Sequence, residues 1–345
     1  MGYAGCEACE GPLFRVEWEE WEYSENEGQM GRITRRTWIT CGLTTLAMAG
    51  CRPSIDSSTD ERIAVAVSIP PHAWLVEQIG GEHVRVQTIV KPGESPETFQ
   101  PDDHQITQIL RCEYYFLCGF PFEYGRSLSA IRSVERLKRI DLRDELPLMT
   151  SLHDHTDHDH ADHDHADHES ETRGEGNDPY AGTDFHIWLS VPLVKLQAQR
   201  IAAELSEARP SFRADFERRL QALISELDAL DTEIRAILEP YRDRSFLVVH
   251  PAWGYFAADY GLHQLAMHHD GKQPSDSEMT ELQRQVSLSR IRTVFVQEES
   301  GLRTATTLAE SLGCHAVVLP VLAPQISDTL RTTAQKLAAS FRENE

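Results

Sequence analysis

Positive charge and cysteine are both scarce in this 345-residue sequence. Its 33 lysines and arginines are outnumbered by 55 aspartates and glutamates, and the formal net charge of −22 repels phosphate and excludes nucleic acid as a partner. The seven cysteines are scattered. Cys112 and Cys118 lie in one apolar run that is typical of a strand, which separates their α-carbons by roughly 20 Å, too far for a disulfide. Cysteine usage therefore says little about the redox compartment.

Catalytic motifs are also missing. The chain has no His-Glu-x-x-His, no Gly-x-Ser-x-Gly and no glycine-rich phosphate loop. We therefore expect a protein that binds rather than an enzyme. The length suffices for two ordinary domains, and 40% hydrophobic residues can supply their cores.

Residues 30–51 have the order of an export signal. Arginines precede a short apolar stretch that ends in small residues, and this stretch is too short to span a bilayer. Ala49 and Gly50 before Cys51 resemble a bacterial lipobox, which predicts a lipid on Cys51 and a periplasmic or cell-surface protein anchored to the membrane. Residues 1–29 hold eight glutamates and one arginine, unlike a signal, so Met30 is the better start and 1–29 is expected not to be translated. Residues 52–62 are typical of a tether.

Short apolar strands alternate with helices in two parts of the chain. Strands are predicted at 63–69, 84–90 and 114–118, with helices at 73–79 and 103–110, which gives a first α/β lobe over 63–209. The low-complexity segment 151–183 within it is predicted to be a disordered loop. Apolar spacings of three and four predict one long helix from Pro210 to about Leu238, so 210–240 is assigned as a linker helix. A second lobe follows over 241–345. Its predicted strands are 245–250, 293–297 and 316–319, and its predicted helices are 304–312 and 327–341.

A five-residue His/Asp repeat dominates the predicted loop and holds seven of the sixteen histidines. Neutral imidazole is a good zinc ligand, and the surrounding carboxylates attract cations. A disordered tract loses entropy when it chelates, so we expect modest affinity and poor selectivity. The accessory ligands predicted here are His153, His155, His158, His160, His163, His165 and His168.

His186 and His250 lie at strand-to-loop junctions, where α/β folds place ligand sites. Their surroundings, together with several other stretches, resemble the metal-binding subunits of bacterial zinc and manganese ABC importers, the ZnuA-like family. The resemblance extends from about Ile63 to the C-terminus. The matching stretches are 68–71, 78–81, 92–96, 184–189, 250–256, 260–262, 271–275 and 294–296.

This resemblance implies two Rossmann-like α/β lobes with mostly parallel sheets, joined by one long rigid helix, with a metal ion held between them. His186 and His250 occupy the second and third ligand positions of the family pattern. The first is usually a histidine in a Pro-His-Thr-Phe-like turn, where this chain has Glu97. Pro320 stands where the family often has an aspartate. Two histidines and one glutamate form a known zinc set, so Glu97 is predicted to complete it.

The fourth ligand is left open among water, Gln297 and Glu298. Zinc is favoured over manganese, because imidazole suits the borderline metals and the aspartate position is lost. The resemblance also implies a permease and its ATPase as partners, and a monomer is expected. The alternatives are a periplasmic metal buffer or sensor, a surface adhesin of the same fold, and a zinc hydrolase.

Overall fold

The first lobe is built on a sheet of four parallel strands. A computed structural model describes residues 61–150, 178–267, 276–297 and 302–344. The strands lie in the order β2-β1-β3-β4. Every residue of the central strands β1 and β3 is buried and apolar, as expected for strands covered on both faces. Their ranges are β1 (Ile63–Val67), β2 (Val84–Thr88), β3 (Tyr114–Leu117) and β4 (Lys138–Asp141).

Four helices accompany this sheet. They are α1 (Pro70–Gly80), α2 (Asp103–Leu110), α3 (Pro121–Tyr124) and α4 (Val191–Ala208). Helix α1 begins at two prolines, whose fixed φ suits the first turn and whose missing N–H groups have no helical partner there. Asp102 begins α2 with a reciprocal capping box to Gln105. The chain enters α4 through a single 3₁₀ turn, Ile187–Leu189.

Helix α5 (Arg213–Leu238) is the predicted long helix, and short 3₁₀ turns at Pro210–Phe212 and Glu239–Tyr241 flank it. It packs against α1 and α4 of the first lobe and against α9 of the second. Its 26 residues form an amphipathic helix, which buries its apolar face and exposes its polar face to solvent. The buried residues are Phe216, Leu223, Leu227, Leu230, Ile234 and Leu238.

The second lobe repeats the topology of the first. Its parallel sheet has the order β6-β5-β7-β8. The strands are β5 (Ser245–Val248), β6 (His263–Ala266), β7 (Thr293–Val296) and β8 (His315–Val318), and the helices are α6 (Gly254–Tyr260), α7 (Asp276–Leu288), α8 (Leu302–Ser311) and α9 (Ile326–Glu343). In each sheet the second strand lies on one side of the first strand and the third strand lies on the other side. The order therefore reverses at β1 and at β5, and open α/β sheets bind ligands at such a topological switch point.

The hydrophobic core is continuous between the lobes. One cluster of buried side chains includes Val65 in β1, Leu227 in α5, Phe256 in α6 and Leu330 in α9. A smaller cluster lies within the second lobe around Leu247 and Val294. All described residues belong to one compact unit.

The predicted α/β fold with two parallel sheets and a long connecting helix is confirmed. Cys112 and Cys118 form no disulfide with each other, as predicted, and both are buried. Residues 178–183, at the end of the segment predicted to be a loop, have defined structure, because the buried Arg143 binds Asp178 and Thr150 bridges to Thr183. Within the described parts of the chain, the helices are all too short or too polar to cross a membrane.

Candidate metal centre

Three side chains distant in sequence meet between the lobes. Glu97 lies in the loop that joins β2 to α2, His186 lies just before α4, and His250 follows β5. His250 Nε2 is 2.9 Å from Glu97 Oε1 and 3.2 Å from His186 Nε2. The remaining distance, from His186 Nε2 to Glu97 Oε1, is 3.8 Å. Among the described residues, this is the group of three or more His, Cys, Asp or Glu side chains that can hold a metal ion.

The triangle of these three atoms has the size of one face of a zinc tetrahedron. Ligands about 2.0 Å from a tetrahedral ion are about 3.3 Å from one another. The observed edges of 2.9, 3.2 and 3.8 Å lie on both sides of that distance. A divalent ion can therefore reach all three atoms at normal bond lengths while its fourth position faces the cleft.

His186 is the most deeply buried of the three, with 4% of its side chain exposed, against 13% for His250 and 33% for Glu97. The Asp184 carboxylate accepts hydrogen bonds from the His186 backbone N–H at 2.9 Å and from Nδ1 at 2.7 Å. A carboxylate only accepts, so the proton lies on Nδ1 and Nε2 points toward His250. This carboxylate–histidine pairing fixes both the tautomer and the ring orientation that metal binding needs.

The segment 184–190 that carries His186 is tied to the second lobe. The Trp188 indole donates to the carbonyl of Val321 at 2.9 Å, and Ser190 Oγ donates to Asp259 at 2.7 Å. Trp188 is 1% exposed and its ring packs 5.2 Å from that of His186. A ligand assigned to the first lobe by sequence is thus held by residues of both lobes.

Charge at the centre is strongly coupled. Burial raises the pKa of the Glu97 carboxyl, but the neighbouring His186 and His250 imidazoles outweigh burial and hold that pKa well below its usual range. Burial lowers the pKa of His186, but the carboxylates of Asp184 and Glu97 outweigh it and raise the pKa to about 9. Without metal, the centre is therefore an imidazolium–carboxylate pair, and a cation that binds there must displace a proton.

Residues of both lobes line the cleft around these ligands. Gln297, the residue after β7, lines it together with Glu97 and His186, and its role as the fourth ligand stays a prediction. Glu298 lies outside the described residues, as do the seven tract histidines and Cys51. The other lining residues are Ser95, Pro96, Trp188, Val321 and Leu322.

Two further histidines in the first lobe, His72 and His104, do not belong to the centre. His72 is fully buried in α1, where Nε2 bonds Gln197 and burial lowers its pKa to about 4. His104 is exposed on α2. Sequence reasoning missed Asp184, whose only signal is a carboxylate two residues before a candidate ligand in an extended segment.

Relatives match this chain over most of its length. A putative metal-binding protein of Chlamydia trachomatis is 26% identical over 295 residues, which cover 84% of this chain and 95% of that protein. The zinc-binding protein AdcA of Streptococcus pyogenes is 26% identical over 267 residues, which cover 76% of this chain and 50% of AdcA. The present chain thus spans about half the length of AdcA.

Solved structures of ZnuA have the same fold as this chain. The crystal structure of ZnuA superposes with a TM-score of 0.68 at 30% identity, over 82% of this chain and 100% of that one. A zinc-bound ZnuA deletion mutant also gives 0.68, at 31% identity, over 81% and 98%. The family model described as zinc-uptake complex component A, periplasmic (ZnuA), matches residues 65–341. Since that match covers well over half of the chain, the protein belongs to the ZnuA family of zinc-uptake components.

Proposed function

We propose that this protein is the extracytoplasmic zinc receptor of an ABC importer, with Zn²⁺ as its cargo. The observation that carries the proposal is the meeting of Glu97, His186 and His250 between the two lobes in a tetrahedral-face arrangement. A zinc-bound ZnuA mutant with 31% identity and the same fold supports zinc as the ion. Delivery to a permease driven by an ATPase follows from membership in a family of uptake components.

The ion takes Nε2 of both histidines and Oε1 of Glu97, and its fourth position takes water, Gln297 or Glu298. One carboxylate leaves a bound Zn²⁺ with one net positive charge, which the Asp184 carboxylate behind His186 offsets. The two imidazoles favour zinc over manganese, which prefers oxygen ligands. The protein holds and releases the ion, and no chemical step is assigned to it.

The segments outside the described residues complete this proposal. A lipid on Cys51 keeps the receptor at the outer face of a bacterial membrane, beside its permease. The tract 153–168 collects or buffers zinc at modest affinity before the ion enters the cleft. These two assignments rest on sequence alone, so they are tested separately from the cleft.

Isothermal calorimetry tests the cleft directly. The full chain is prepared with the seven tract histidines replaced by asparagine, which leaves the cleft as the expected high-affinity site. This parent should bind one zinc ion tightly, and replacement of both His186 and His250 by alanine should abolish the binding. His104→Ala, an exposed histidine outside the cleft, is the matched control and should bind as the parent does. One tight zinc ion in the double variant would contradict the assignment.

Transport is tested in cells that lack their own zinc receptor but keep the cognate permease and ATPase. The full chain should restore growth under zinc starvation, and the double variant should not. Restoration by the double variant would count against a receptor role for the cleft.

A further inference from the structure

The Tyr255 hydroxyl connects the second lobe to the backbone that orients His186. Tyr255 lies on α6, five residues after His250, and is 4% exposed. Its hydroxyl donates to the Asp184 carbonyl at 2.8 Å and accepts from the Met149 N–H at 3.0 Å. One phenol therefore bonds both chain segments that flank residues 150–183.

The backbone N–H, the backbone carbonyl and the carboxylate of Asp184 each have a hydrogen-bond partner. Its N–H donates to the Met149 carbonyl at 2.9 Å, its carbonyl accepts from Tyr255, and its carboxylate accepts from the N–H and Nδ1 of His186. Rotation of the carboxylate would turn the imidazole with it, because Nδ1 is held by that oxygen. The direction of His186 Nε2 thus depends on where the Asp184 backbone is held.

Gly254 shows how closely the second lobe approaches this point. A Cβ on Gly254 would lie 3.1 Å from Asp184 Oδ2, tighter than ordinary contact. Gly254 has no unusual backbone conformation that requires glycine, so the close approach of the Asp184 carboxylate is the physical reason for the missing side chain. Helix α6 therefore passes close to the carboxylate of Asp184, the same residue whose backbone carbonyl Tyr255 binds.

We propose that Tyr255 is a positioning residue for His186, so that contact with the second lobe sets the orientation of a metal ligand carried by the first. This inference rests on the proposed function, in which His186 binds zinc.

The test compares Tyr255→Phe with Tyr260→Phe in the full chain with asparagine in place of the seven tract histidines. Both tyrosines lie on α6, both are 4% exposed, and each loses one buried hydroxyl. The Tyr260 hydroxyl donates to Asp231 on α5 instead, at 3.0 Å, away from the metal ligands. Both variants therefore lose one buried hydroxyl, but only Tyr255→Phe loses a hydrogen bond to Asp184.

Zinc affinity and the visible spectrum of bound Co²⁺ are the readouts. Loss of a group that hydrogen-bonds a metal ligand directly lowers metal affinity about 10–100-fold. Tyr255 acts on His186 through Asp184, so Tyr255→Phe should lower zinc affinity by about tenfold, the low end of this range, and alter the cobalt bands. Tyr260→Phe should stay within about twofold of the parent with unchanged bands. A Tyr255→Phe protein with the affinity and cobalt spectrum of Tyr260→Phe would overturn the proposal.

Gly254→Ala provides a second test that keeps the Tyr255 hydroxyl. Its methyl group should displace the Asp184 carboxylate and alter the cobalt spectrum in the same way, and an unchanged spectrum would overturn the proposal. Failure of the proposed function itself is distinguishable, because the parent would then bind zinc no better than His186→Ala does.

Discussion

At the scale of single residues, Glu97 sets the charge of the centre. Its Oε1 atom lies 2.9 Å from His250 Nε2 and 3.8 Å from His186 Nε2. A carboxylate in this position neutralises part of the charge of a bound cation and offers oxygen, the atom that manganese prefers. We therefore expect Glu97 to make the metal preference of this chain differ from that of a three-histidine site.

Replacing Glu97 tests this role. Glu97→Ala should lower zinc affinity by at least about tenfold, or about 1.4 kcal/mol, because one of three protein ligands is lost. Glu97→His should keep tight zinc binding and weaken manganese binding relative to zinc. Competition titrations with both ions measure this. An unchanged zinc-to-manganese ratio in Glu97→His would show that Glu97 does not set the preference.

The pKa of His186 predicts how zinc binding depends on pH. Because the pKa is raised from 6.5 to about 9 in the folded protein, the protonated ring stabilises the metal-free fold fully below 6.5, and this stabilisation is lost as pH rises through about 9. Zinc needs the neutral ring, so apparent affinity should rise about tenfold per pH unit between these values. The sequence alone predicts the loss of affinity only below about pH 6.5.

Calorimetry in buffers of different ionisation enthalpy checks this at pH 7.5, where each zinc ion should release close to one proton from His186. His104→Ala should release the same number. Affinity that stays constant between pH 7 and 9, after correction for zinc hydrolysis, would contradict a raised pKa at His186.

Sequence reasoning identified the three residues that meet at the centre but not those that position them. His186 and His250 stand in recognisable local patterns, and Glu97 follows from its place in a matching turn. The partnership of Asp184 with Tyr255 depends on a contact between residues 71 apart, which no local pattern encodes.

At the scale of elements, α5 is the main connection between the lobes, because it contacts α1 and α4 on one side and α9 on the other. Leu227, fully buried, lies near the middle of its apolar face. Leu227→Ala should lower the free energy of unfolding by about 2–5 kcal/mol, since it removes buried methyl groups and leaves a cavity. Chemical denaturation measures this. Gln221→Ala, exposed on the same helix, is the control and should change stability little, and equal effects of both would contradict the packing described.

Long amphipathic elements and apolar strands were predictable from the sequence, but the short polar edge strands β4 and β6 were not. The α5 pattern gave its ends closely, whereas β4 and β6 are four-residue edge strands with polar residues, and only pairing with β3 and β5 makes them strands. Helix α4 was not predicted, although Ser190 caps it, Pro192 lies in its first turn and its apolar spacing is regular.

At the scale of the whole molecule, the centre belongs to both lobes, so a bound ion cross-links them. Zinc at 100 times its dissociation constant should stabilise the protein by about 2.7 kcal/mol, which corresponds to a rise in the melting temperature of about 4 °C for a chain of this size. Thermal unfolding with zinc or with a chelator measures this in the protein whose tract histidines are asparagine. A similar shift in the variant without His186 and His250 would place the stabilising ion elsewhere.

The packing of Trp188 against His186 gives the molecule an optical signal of its own. An imidazolium quenches the fluorescence of an adjacent indole, and the two ring centroids here are 5.2 Å apart with both residues buried. Zinc has a filled d shell and replaces the quenching proton, whereas cobalt has an open shell that accepts the excitation energy. Emission from this tryptophan should therefore brighten with one ion and dim with the other, so occupancy of the receptor can be followed in real time without a label.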